Sequence, residues 1–125
     1  MSNLSEEMSN EARETQVFSR KHLVLELDFS ETSIEWIDES IETLDFSIPG
    51  GMSPENVDKL TCLWGAYLGE AIRKQGGNWA RDENGNPGIR GGGGMVFPHQ
   101  QVRLRLTKGA EYGLLSYFQS ATSGV

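Results

Sequence analysis

One cysteine, Cys62, and two histidines, His22 and His99, are all the chain offers toward thiol or imidazole chemistry. A single thiol excludes an intramolecular disulfide, and these three residues have no zinc-site spacing. Cys62 falls in an apolar helical pattern and reads as core filler. Nothing approaches the ~20 apolar residues that a bilayer-crossing helix needs. Met1–Arg20 also lacks the apolar centre of a secretory signal, so the expectation is a cytoplasmic protein with no membrane partner. Gly91–Gly94 is a run of glycines, yet the Lys-Ser/Thr pair of a P-loop does not follow it, and a loop is preferred to a phosphate cradle. Arg81, Arg90, Arg103 and Arg105 are available to surround an anion there. No serine or cysteine stands in a nucleophile elbow, and no close carboxylate pair lies in apolar sequence. No metal and no cofactor are expected.

Positive charge is scarce in one half only. Residues 1–60 hold 14 acidic and 4 basic side chains, and residues 61–125 hold 4 acidic and 7 basic, within an overall charge of −7. The stretch Glu31–Asp45 carries Glu31, Glu35, Asp38, Glu39, Glu42 and Asp45 with no Lys or Arg. Such a surface repels nucleic acid and steers basic proteins toward itself. The same acids also suit the solvated face of an amphipathic helix. Trp36 stands among them, off the apolar row, as a packing rim or an exposed anchor for a partner.

With 125 residues, one domain with a real core is the default. Met1–Arg20 is polar and expected to fray, the domain to span 21–121, and 122–125 to form a tail. His22–Asp28 alternates as a half-buried strand does. Thr32 and Glu35 have capping-box spacing ahead of a helix with Ile34, Ile37, Ile41 and Leu44 on one stripe. Phe46–Met52, with Pro49, Gly50 and Gly51, must be a loop. Ser53 and Pro54 open a second helix, ended by Gly76 and Gly77, whose wide apolar face makes it the buried centre. Gly65 and Gly69 on it predict a close neighbour, since each costs about 1 kcal/mol against alanine. A strand with Trp79, a turn over Glu83–Gly88 and short strands at Ile89–Arg90 and Met95–Phe97 make a small sheet. Val102–Leu106 alternates like a strand, but Pro98 and Gly109 border it as a helix, and helix is chosen for His99–Lys108. A last helix from Ala110 to about Ser120 buries Leu114, Leu115 and Phe118. The fold class is α+β: a small antiparallel sheet packed on a central helix, with further helices.

In order along the chain come Leu27-Asp28-Phe29-Ser30, Gly65-Ala66-Tyr67-Leu68-Gly69-Glu70, Gly76-Gly77-Asn78-Trp79, Phe97-Pro98 and Leu114-Leu115 with Tyr117-Phe118. Together these resemble a widespread family of small bacterial proteins catalogued as a domain of unknown function and found near polymorphic and contact-dependent toxin systems. The resemblance covers roughly His22–Phe118. It implies an immunity-type protein binding a cognate, basic toxin or effector, with Gly65, Gly69, Glu70 and Trp79 as the structural motif. The Gly91–Gly94 run and the polar N-terminal extension depart from the family pattern. Expected contact residues are Glu31, Glu35, Trp36, Asp38, Glu39, Glu42 and Asp45, with no catalytic residue. The alternatives are a small hydrolase-like enzyme using Glu70 as general acid or base with His99 beside it, or a structural adaptor. Oligomeric state is not legible.

Overall fold

The central helix of the computed structural model begins where Ser53 precedes Pro54. The structure describes residues 3–22, 24–47, 53–91 and 94–123, with the side chains at 44–47 and 123 outside that description. Ser53 Oγ accepts the Asn56 N–H at 3.2 Å, and Pro54, lacking an N–H, sits where a helix needs none. The helix, α3, runs Pro54–Gln75. Gly76 ends it at φ 141°, donating its N–H to the Arg73 carbonyl. Trp64, Ala66, Tyr67, Leu68, Ala71 and Ile72 are all buried, so α3 is enclosed as its wide apolar face predicts.

The N-terminal segment departs from expectation. Leu4–His22 is a helix, α1, laid against α3, where fraying was expected over residues 1–20. Its buried face carries only Met8, Ala12, Thr15 and Ser19, too small and polar to register as an apolar stripe. Thr15 Oγ1 donates to the Leu63 carbonyl of α3 at 2.6 Å, so polar bonds do part of the docking that large side chains usually do.

The strand expected over His22–Asp28 does not form. His22 ends α1 and residues 24–28 have no regular structure. Burial does alternate, with Leu27 inside and Glu26 outside, but the backbone bonds go to α1: Leu25 N–H to the Ser19 carbonyl and Gln16 Nε2 to the Leu27 carbonyl. Period-2 burial without a neighbouring strand makes an extended segment and no sheet. Phe29 then turns at φ 65°, an uncommon conformation for a side chain of this size. It is held there by its N–H to Tyr67 Oη at 2.6 Å and by stacking on the Tyr67 ring.

The second helix, α2, spans Glu31–Ser47. Its cap is Ser30, whose Oγ accepts the Ser33 N–H at 3.1 Å, two residues earlier than the expected Thr32–Glu35 box. Ile34, Ile37 and Ile41 are buried. Phe46 and Ser47, expected in a loop, still belong to α2; the rest of that loop, and the Leu44 side chain, lie outside the described residues.

Strands β1 (Asn78–Arg81), β2 (Pro87–Gly91) and β3 (Gly94–Val96) form one antiparallel sheet in that order. Trp79 pairs with Ile89, and Ile89 with Val96. Asp82 Oδ1 organises the first turn by accepting the N–H groups of Asn84 and Asn86. Gly91 and Gly94 of the glycine run are strand residues, paired across the second hairpin; Gly92 and Gly93 lie outside the described residues.

The ambiguous third of the chain is helical. Helix α4, Pro98–Lys108, buries Val102, Arg105 and Leu106 against α3 and α5. Ala110–Tyr112 is a single 3-10 turn, where the last helix was expected to begin. Helix α5, Leu114–Ser123, starts after Gly113 and takes in Thr122 and Ser123 of the expected tail; the rest of that tail lies outside the described residues. The result is the α+β domain read from the sequence, a small sheet packed with a central helix and further helices. Among the described residues no helix is long and apolar enough to cross a membrane.

Candidate functional site

Helix geometry sorts the acids of α2. Glu31, Glu35, Glu39 and Glu42 follow at intervals of four, four and three, which places them on one stripe, and all four are exposed. Trp36 keeps 36% of its surface in solvent beside that stripe. Glu31 accepts a bond from Gln119 of α5 at 2.6 Å. Among the described residues no cation forms a salt bridge with Glu31, Glu35, Glu39 or Glu42. Like charges one turn apart cost about 0.2–0.5 kcal/mol per pair, and the last turn of α2 brings no basic residue to its negative end. This face stores repulsion that a positive partner would relieve.

Asp38 does not belong to the free stripe. Its Oδ1 accepts Arg105 Nε at 3.2 Å and the Leu114 N–H at 2.9 Å, and its Oδ2 the Leu115 N–H at 2.9 Å. Arg105 is 3% exposed and also donates to the Asp38 carbonyl. Asp38 thus ties α2 to α4 and caps α5. Sequence reasoning placed it among the contact acids because its partners are 67 and 76 positions away. The Asp45 side chain lies outside the described residues.

The glycine and glutamate motif assembles where α3 meets α1, β1 and the start of α4. A Cβ at Gly69 would overlap the Trp79 indole, and one at Gly65 the His99 imidazole, so the two glycines admit the close neighbours their spacing predicts. Glu70, only 4% exposed, takes four hydrogen bonds. Its Oε1 accepts Ser9 Oγ at 2.9 Å and one Arg73 terminal nitrogen at 3.1 Å; its Oε2 accepts Arg73 Nε at 2.6 Å and Trp79 Nε1 at 2.8 Å. Burial pushes its pKa up, but the bonds from Arg73, Trp79 and Ser9 and the Arg73 charge outweigh that and hold it below the usual carboxylate value. Glu70 therefore joins α1, α3 and β1. The Ser9 contact had no signal in the sequence, since α1 was expected to fray.

A cleft of about 480 Å³ opens beyond Trp79, between α3, the β1–β2 turn and the start of α4. Cys62, His99 and Asp82 line it. Burial drives the His99 pKa down to about 4, opposed by its bond to the Cys62 backbone, so the ring is neutral near pH 7. Cys62 is exposed, contrary to its reading as core filler. Burial, then Glu11 and Asp58, push its thiol up against the opposing pull of Arg103, which keeps it protonated and weakly nucleophilic. The four arginines near the glycine run do not converge. Arg81 bonds the Gly85 carbonyl and Glu7, Arg90 approaches Met95 Sδ, Arg103 pairs with Asp58 and Arg105 with Asp38.

No family model, curated protein or solved structure matches the chain. Among the described residues no group of three or more His, Cys, Asp or Glu side chains is placed to hold a metal ion.

Proposed function

We propose that the chain is an immunity-type protein that acts in the cytoplasm by binding a basic bacterial effector and neutralising it. The observation that carries this reading is the outer face of α2. Glu35, Glu39 and Glu42 are exposed on one stripe without a cationic partner among the described residues, beside the half-exposed Trp36. An aromatic anchor next to unpaired charges of one sign combines a hot-spot residue with electrostatic steering. A carboxylate array of this kind can occupy a nuclease's basic substrate groove. The hydrolase alternative centred on Glu70 gains less from the geometry, because each of its oxygens already accepts two donors and the carboxyl is held ionised.

The test is association kinetics with a purified basic effector encoded by a neighbouring gene. Glu35→Lys, Glu39→Lys and Glu42→Lys together should slow association at least tenfold at low salt, an effect that shrinks as salt screens the charges. Asp38 is left intact, since its loss would disturb the fold. Unchanged rates in the triple variant would remove α2 from the interface.

A further inference from the structure

The acidic half of the chain contains four basic side chains, Arg13, Arg20, Lys21 and Lys59. Three of them meet. Arg13, Lys21 and Lys59 line a groove of about 430 Å³ between α1 and α3, whose apolar part is Val17, Phe18 and Leu63. Val17 is 59% exposed, so the groove presents bare apolar surface. Arg20 faces elsewhere and pairs with Glu26 at 3.1 Å. Among the described residues no carboxylate forms a salt bridge with Arg13, Lys21 or Lys59; Arg13 bonds Asn10, and Lys59 lies over the Phe18 ring. Glu14 is the one acid in the lining.

This is the complement of the α2 face in sign and in composition: three cations around apolar side chains here, carboxylates around a tryptophan there. Lengths agree as well. Glu35 to Glu42 spans about 10 Å of helix, and Arg13 to Lys21 about 12 Å, at 1.5 Å per residue. We propose that the groove receives the outer face of α2 from a second copy of the chain, with Trp36 entering over Val17 and Phe18 while Glu35, Glu39 and Glu42 meet the three cations. The two surfaces differ, so the contact is head-to-tail. It goes beyond the effector reading and needs no other protein, although an effector on α2 would compete with it.

Sedimentation equilibrium of the full chain from about 5 to 500 μM tests the proposal. Wild type should rise above the monomer mass of 13.8 kDa as concentration increases. Lys21→Glu with Lys59→Glu, or Glu35→Lys with Glu39→Lys, should each weaken self-association at least tenfold. All four positions are exposed, so each variant should keep the wild-type circular dichroism spectrum, which is checked before sedimentation. Mixing the two folded variants should restore association, because opposite charges again face each other. A wild type that stays monomeric throughout, or variants that associate as wild type does, would overturn the proposal. Either failure leaves the effector-binding rates unaffected, since this assay contains one protein only.

Discussion

His99 shows how a single side chain is set by its place. Gly65 lets the imidazole against α3, and the burial that follows lowers its pKa from 6.5 to about 4. The unfolded chain therefore binds a proton that the folded chain refuses between those two values. The contribution is fully present above pH 6.5 and is lost as the pH falls toward 4, which amounts to about 2 kcal/mol between pH 7 and pH 5. Urea unfolding at the two pH values should show this loss, and His99→Gln should flatten it. An unchanged slope in the variant would assign the pH dependence to another group. Glu70 acts at lower pH. Its depressed pKa adds stability above the ordinary carboxylate value, which disappears as the pH drops through the folded one.

Elements are joined here by a few polar contacts of long sequence separation. Asp38 is the clearest, since one carboxylate satisfies two N–H groups at the start of α5 and faces a buried arginine of α4. Asp38→Ala leaves Arg105 without that partner and α5 without its cap, at an expected cost of about 3–5 kcal/mol. The denaturation midpoint should fall accordingly, and the amides of Leu114 and Leu115 should lose hydrogen-exchange protection. Glu39→Ala, on the free stripe of the same helix, should cost less than about 0.5 kcal/mol. Equal losses for the two would contradict this division of α2 into a tie and a free face.

At the scale of the molecule, α1 decides whether α3 is enclosed. It covers α3 with Met8 and Ala12, bonds the Leu63 carbonyl through Thr15 and supplies Ser9 to Glu70. A chain lacking residues 1–22 would expose that side of the central helix and remove one donor from a buried carboxylate. It should lose cooperative thermal unfolding, visible by circular dichroism and calorimetry. A truncated chain that still melts cooperatively at the temperature of the intact one would show that α1 is dispensable. The charge division has its meaning at this scale too. The carboxylate stripe of α2 and the cationic groove between α1 and α3 are separate surfaces, which the −7 total conceals.

What could be read along the chain was whatever depends on near neighbours. Ser53 and Pro54 open α3 and Gly76 closes it because capping acts within one turn. The turn at Asp82 and the helix after Pro98 are local in the same sense, and the glycines of α3 announced close packing through their spacing alone. Folding in three dimensions settled the rest. A polar N-terminal segment became α1 through bonds to residues some 50–60 positions away. An alternating stretch stayed out of the sheet because its hydrogen bonds were taken by that helix, and Asp38 left the free acids when α4 and α5 closed on it. Caps and turns are encoded where they form. A buried ion pair or a docked polar helix exists only once distant segments have met.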